Sequence, residues 1–134
     1  MIKEHFMQEQ FEAGLKKRKQ VLGEDYVNDS FKNANSFSQP FQKFLTETYW
    51  GGVWTREGLD DKTKSIVTLS ILIALGAEHE IPIHTIGALN NGVSPDELMS
   101  ILIHSSAYAG APAALSAQKI IRKTLEDSGN ISTL

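Results

Sequence analysis

The 134 residues include no cysteine. This excludes disulfides, thiolate metal ligands and every mechanism built on a sulfur nucleophile or a redox-active thiol. Long apolar runs are scarce too. The strongest, Ile66 to Ala77, is interrupted by Thr68 and Ser70, and it falls well short of the roughly 20 residues a membrane-spanning helix needs. It reads as a buried core helix, and no membrane partner is expected. The opening stretch MIKEHFMQEQFEAG lacks the apolar segment of a secretion signal. Together with the missing cysteines, this fits a cytoplasmic protein. Positive charge is also in short supply. The formal net charge is −3, whereas phosphate binding needs clustered Lys and Arg. The one basic run, KKRK at 16–19, reads as a solvated helix face, so no nucleic-acid partner is expected.

What is present is ordinary for a globular protein: 41% hydrophobic and 22% charged residues. The length suits a single domain, 1–134, with a real core. No linker, repeat or low-complexity block interrupts it. Phe6, Met7, Phe11, Leu15 and Leu22 recur at near-helical spacing, and Gly23 can end that helix. Residues 24–37 are polar with three spaced apolar groups, and read as a loop with at most one short helical turn. A helix starts near Ser38 with Pro40 in its first turn, runs to Trp50 and is broken by Gly51-Gly52. Asp60 is placed to cap a helix over 61–76. Ser94-Pro95-Asp96-Glu97 combines a capping box with proline at the first helical position and opens a helix reaching about Tyr108. A last helix covers 112–127. Strand-like alternation is nearly absent, so the fold class is all-α, a bundle of about six helices.

The chemistry concentrates at EHEIPIH, residues 78–84, directly after the apolar run. Pro82 is tolerated only in a first turn, which predicts a short helix over 78–89 starting near 78–80, with Glu78 and Glu80 at the positive end of its dipole. At about 100° per residue, Glu80 and His84 lie on one face and can touch. His79 and His84, five apart, diverge by about 140°. The zinc-protease signature H-E-x-x-H needs its histidines four apart, so no metal site is expected here. A carboxylate beside imidazole orients the ring and raises its pKa, which suits a proton donor. The same pair also serves as a plain surface ion pair, and spacing leaves both readings open.

Two further groups stand out. His104 and Tyr108 share a helix face, either as part of a site or as the edge of a small-residue packing seam. In WGGVWTR, residues 50–56, Trp50 and Trp54 are either a core anchor or the wall of a site. Arg56 beside them is suited to binding a carboxylate.

These strings resemble the carboxymuconolactone decarboxylase family. VLGEDYV at 21–27, WGGVWTREGLDDKTKS at 50–65, HE…HTIGALNNGVSPDEL at 79–98 and H…YAGAPAA at 104–114 carry the resemblance, which extends over about 10–125. The wider superfamily includes alkyl hydroperoxide reductase D-like peroxidases with C-x-x-C-x-x-x-H. Here His84 remains, but the cysteine positions hold Ala77 and Glu80, so a thiol peroxidase cycle has no thiolate.

The resemblance implies an alkyl hydroperoxide reductase D-like all-α fold, a homo-oligomer (a hexamer, or a trimer), no cofactor and a small carboxylated lactone as substrate. It implies decarboxylation of γ-carboxymuconolactone in the β-ketoadipate route of protocatechuate catabolism. At Lys64 the family often has arginine; lysine keeps the charge but lacks the bidentate fork.

Such a reaction needs three things from the chain. A cation must hold the distal carboxylate: Arg56 first, Lys64 second. A donor must meet the developing enolate oxygen: His79 or Tyr108, with His104 nearby on the same helix face as Tyr108. An acid must protonate the ring carbon: His84 oriented by Glu80, or Glu80 itself. Trp50 and Trp54 would wall the site. Two other readings stand beside this one. The same fold could act on a different small lactone or carboxylate, or the chain could be a non-enzymatic helical oligomer, for which Glu80 and His84 would lie exposed and apart from any pocket.

Overall fold

The computed structural model describes residues 1–133, which are helical with no strand among them. The chain folds as two compact units, Met1–Asp60 and Asp61–Leu134.

The first unit contains α1 (Ile2–Leu22), α2 (Glu24–Lys32) and α3 (Gln39–Leu45). A π-helical segment, Thr46–Trp50, continues α3 without a break. Helix α2 occupies the stretch expected to be a loop. Its cause is a narrow stripe: Val27 and Phe31, four apart, point inward. Val27 is fully buried, and Phe31 meets Phe11 of α1 edge to face at 6.1 Å. Glu24 and Asp25 in the first turn and Lys32 in the last complement the helix dipole.

Two further expectations fail in this unit, both through contact with α1. Gly51 and Gly52 do not break the helix but continue it. A Cβ on Gly51 would strike the Gln10 carbonyl of α1, and one on Gly52 would crowd the end of the Gln10 side chain. The basic run at 16–19 is not a wholly solvated face either. Arg18 is buried, with its Nη1 donating to Gln42 Oε1 at 2.9 Å and Thr46 Oγ1 at 3.1 Å. Its guanidinium lies 5.7 Å from the Phe31 ring centre, and burial lowers its pKa from the usual arginine value.

The second unit holds α4 (Asp61–Leu75), α5 (Ile81–Asn90), α6 (Pro95–Ala109) and α7 (Ala111–Asp127). Its core is built from Leu69 and Ile73 of α4, Ile81 of α5, Leu98 of α6 and Ile121 of α7, all within a few per cent of full burial. Each such side chain contributes about 1.5–3 kcal/mol by leaving water. Helices α6 and α7 are separated by a single residue, Gly110, at φ 95°. That left-handed conformation suits glycine and turns the chain sharply enough for α7 to pack back on α6. The capping box is formed as expected: Ser94 Oγ accepts from the Glu97 N–H, and Glu97 Oε1 accepts from the Ser94 N–H, both at 3.1 Å.

Helix α4 differs from the fully buried helix that its apolar run suggested. Ser65, Leu69 and Ile73 point inward, whereas Val67, Ile71 and Leu75 are exposed on this single chain, Leu75 by 75%. Helix α5 starts at Ile81 rather than at 78–80, with Glu80 as its N-cap residue and Pro82 in its first turn. The proline limits this start, since it has no N–H to give the Glu78 carbonyl and its ring would clash there, and the chain turns through Glu78 and His79 instead.

Candidate active site

Trp50, Trp54 and Arg56 lie where the α3 helix ends in the first unit. The π-helical segment delivers Trp50 inward, and that side chain is 7% exposed. Beyond Gly52 the backbone stays wound: the Val53 and Trp54 N–H groups both donate to the Tyr49 carbonyl, at 3.0 and 2.9 Å. The Thr55 hydroxyl donates to the Gly51 carbonyl at 2.6 Å. This winding brings Trp54 face to face with Trp50, ring centres 4.9 Å apart and planes 14° from parallel. Arg56 follows at an exposed position, its N–H bonded to the Val53 carbonyl at 3.1 Å. The stacked indoles form a rigid apolar wall with a guanidinium two residues beyond it.

In the second unit, Lys64 sits half-buried in the first turn of α4. Glu78, His79 and Glu80 are exposed in the turn before α5. His84 lies one turn into α5 and is half-buried; its N–H donates to the Glu80 carbonyl at 3.3 Å. Burial pushes the His84 pKa below its ordinary 6.5, and the Glu80 carboxylate pulls it only partly back up. The sequence expectation had the opposite sign. It counted the carboxylate and missed the desolvation, which is larger. His84 is therefore a neutral imidazole at rest near neutral pH, able to donate one hydrogen bond and to accept another.

His104 and Tyr108 face each other on α6 with ring centres 5.5 Å apart, and both are exposed on this chain. His104 also borders a shallow hollow of about 370 Å³ with Ile66 and Ser70 of α4. The structure thus brings together Trp50 with Trp54, Glu80 with His84, and His104 with Tyr108.

A family model of the carboxymuconolactone decarboxylase family matches residues 39–123. A 4-carboxymuconolactone decarboxylase from Acinetobacter baylyi is 43% identical over 122 residues, 91% of each chain. The chain belongs to the carboxymuconolactone decarboxylase family. A nitrosuccinic acid decarboxylase, npaB, from Metarhizium robertsii is 42% identical over 117 residues, covering 87% of this chain and 82% of the relative.

All nine candidate residues, from Trp50 to Tyr108, fall inside the stretch matched to the carboxymuconolactone decarboxylase family. Two sets of supporting residues were not anticipated. One is Asn91, whose side chain ties the end of α5 to the start of α4. In the sequence it stands out only as part of a helix-ending Asn-Asn-Gly. The other is Gln10, Gly14 and Arg18 on α1, ahead of the matched stretch. Their four-residue spacing places them on one helix face, and that stripe of small and polar residues was the available signal.

Proposed function

We propose that this chain catalyses the cofactor-free decarboxylation of γ-carboxymuconolactone to β-ketoadipate enol-lactone, a step of protocatechuate catabolism. The observation that carries this reading is 43% identity, over nine-tenths of both chains, to a protein named for that activity.

The chemistry fits the side chains. The bond to the carboxylate on the ring carbon beside the ring oxygen breaks and CO₂ leaves. The electron pair moves through the ring double bond onto the lactone carbonyl oxygen. One proton then adds to the ring carbon next to that carbonyl. The lactone is its own electron sink, so the chain needs to supply only binding, charge stabilisation and a proton.

Arg56 holds the distal carboxylate, with Lys64 as the second cation. A bidentate guanidinium suits that task better than an ammonium. Trp50 and Trp54 exclude water from the departing carboxylate, which strengthens each electrostatic contact around it. His79 or Tyr108 donates to the enolate oxygen, and His104 supports Tyr108. His84 delivers the proton and Glu80 orients it. The imidazole is neutral in the free protein, and the anionic substrate draws a proton onto it on binding.

A second reading has its own support: the fungal relative at 42% identity is named for a different small acid, nitrosuccinic acid. There the nitro group would accept the electrons that the lactone carbonyl accepts here. Both readings share a small carboxylate next to a built-in electron sink. The exposed Val67, Ile71 and Leu75 on α4 and Ile103 on α6 support a homo-oligomer, a hexamer or a trimer, in which they are covered; light scattering on the purified protein measures this directly.

The deciding experiment is a steady-state assay with γ-carboxymuconolactone and nitrosuccinate side by side, on wild type and His84→Ala. Turnover of the lactone that falls by about 10²–10⁴-fold in the variant supports the reaction and the proton donor. Turnover of nitrosuccinate alone selects the second reading. A loss below tenfold on the lactone removes His84 from the donor role.

A further inference from the structure

We infer that Gln10 and Arg18 of α1 are positioning residues for the tryptophan loop. With Gly14 between them they hold the π-helical turn that stacks Trp50 on Trp54. The inference rests on the proposed role of that loop as the wall of the active site.

A π-turn is rare because it widens the helix and spoils the regular i→i−4 ladder, and it persists only where neighbours supply what the ladder loses. Here α1 supplies it at three successive positions on one face. Gln10 Nε2 donates to the Glu47 carbonyl, inside the π-turn, at 2.7 Å. Gly14 has no side chain where one would run into the Thr46 carbonyl oxygen and come within 2.6 Å of the Gly51 nitrogen, so the two backbones can touch. Arg18 Nη1 donates to Thr46 Oγ1 at 3.1 Å and to Gln42 Oε1 at 2.9 Å. The first contact is at the first residue of the π-turn, the second one turn before it. Thr46, fully buried, also donates its hydroxyl to the Gln42 carbonyl at 2.8 Å. The α3 helix is therefore clamped where its winding changes.

Arg18 is an unusual choice for a purely structural clamp. A buried guanidinium is costly unless its donors are met, and Arg18 Nε is buried without a hydrogen-bond partner. A shorter neutral side chain would fill this core more cheaply, but it would not span both Gln42 and Thr46. What the clamp controls lies one turn further on. With the register of the turn held from Thr46, Trp50 points inward, the Tyr49 carbonyl accepts from both Val53 and Trp54, and the indoles overlap. Releasing the turn into a regular helix would rotate Trp50 out of its buried position by up to about 100°. It would also replace the Trp54-to-Tyr49 hydrogen bond, which spans five residues, by one spanning four, shifting Trp54 against Trp50 and redirecting Arg56.

The chain has only two tryptophans, so their stacking has its own signature: an exciton couplet in circular dichroism that requires the two indoles to be close and fixed. The experiment records this couplet and the helical ellipticity for wild type, Gln10→Ala, Arg18→Met and Arg18→Lys. Arg122→Ala, an exposed ion-pair residue on α7, serves as the control. The inference expects the couplet to fall by at least about half in Gln10→Ala and Arg18→Met with helical ellipticity retained, and to be partly restored in Arg18→Lys. It also expects KM for the lactone to rise at least about fivefold in the same order, because the wall and the carboxylate anchor are displaced together. A couplet unchanged in Gln10→Ala and Arg18→Met overturns the inference, even if both variants lose stability. Should Arg18→Met fail to fold, Gln10→Ala decides: an intact couplet there overturns the inference, and a diminished one supports it. Absence of lactone turnover by wild type would remove the proposed reaction, and the couplet would still judge the clamp.

Discussion

Asn91 Nδ2 donates to Ser65 Oγ at 2.9 Å and also reaches the Asp61 carbonyl at 3.3 Å. Asn91 ends the helix that carries His84, and Ser65 follows Lys64 in the helix that carries it. This side chain thus fixes the relative register of two elements that bear candidate site residues. Asn91→Ala leaves buried Ser65 without its partner and is expected to destabilise the fold by about 1–3 kcal/mol. Urea denaturation of Asn91→Ala, Ser65→Ala and the double variant checks this. The double variant is expected to lose less than the sum of the singles, since both remove the same contact; strict additivity would deny the coupling.

The capping box at Ser94 predicts a separable effect. Ser94→Ala removes the acceptor for the Glu97 N–H and is expected to cost about 1 kcal/mol. Lys62 also pairs with Glu97, at 3.0 Å, but both side chains are more than 40% exposed. Lys62→Met is therefore expected to cost less than Ser94→Ala and to become neutral at high salt. Thermal melts at two ionic strengths distinguish the two variants.

Stability is expected to depend on His84 with a definite sign. Its folded pKa lies below the ordinary 6.5, so the unfolded chain takes up the proton first as pH falls. Stability is then lost on going down from neutral pH through 6.5 to the folded value, and held above it. Glu97 acts lower in the pH range. Hydrogen bonds from Lys62 and from Ser94 hold its carboxylate below the usual 4.5, so its contribution is present above 4.5 and lost as pH falls through the folded value. His84→Gln is expected to abolish the first loss and leave the second, as measured by denaturant midpoints across the acid range.

Catalysis gives the same residue a second pH signature. For a proton donor that is neutral in the free protein, kcat/KM falls as pH rises above its depressed pKa. A bound dianion raises that pKa, so the break in kcat appears at higher pH than the break in kcat/KM. Profiles of both parameters test this. A kcat/KM that stays level from acid to alkaline pH would assign His84 a neutral hydrogen-bonding role.

Gly14→Ala tests the backbone contact between α1 and the π-turn. The added methyl meets main-chain atoms of Thr46 and Gly51, which cannot rotate away as a side chain would. The expected cost is about 1–3 kcal/mol despite alanine's better helix propensity. A melting temperature equal to or above wild type would refute the close approach.

Much of the helical framework was legible in the residues because its signals are local. Ser94-Pro95-Asp96-Glu97 marks a helix start by chemistry confined to four residues, and the structure forms it there. Helix α2 was not legible because only Val27 and Phe31 mark it, and two apolar groups in a polar nine-residue segment have no meaning until α1 lies beside them. The candidate site was legible mainly as residue types and pairs. Glu80 with His84 and His104 with Tyr108 follow from a spacing of four. The sign of the His84 shift did not, because desolvation depends on what packs over the ring.

The sequence by itself determined the all-helical class, the absence of thiol chemistry and the family, since these depend on composition, short-range periodicity and strings read in order. Tertiary structure alone decided that Arg18 turns inward from a basic run, that Gly51 and Gly52 continue a helix instead of ending it, and that the helix winds as π from Thr46 to Trp50. Each of those outcomes is set by contacts between α1 and the end of α3, whose residues lie tens of residues apart along the chain. A hydrogen bond or a backbone contact across that distance has no counterpart in local sequence.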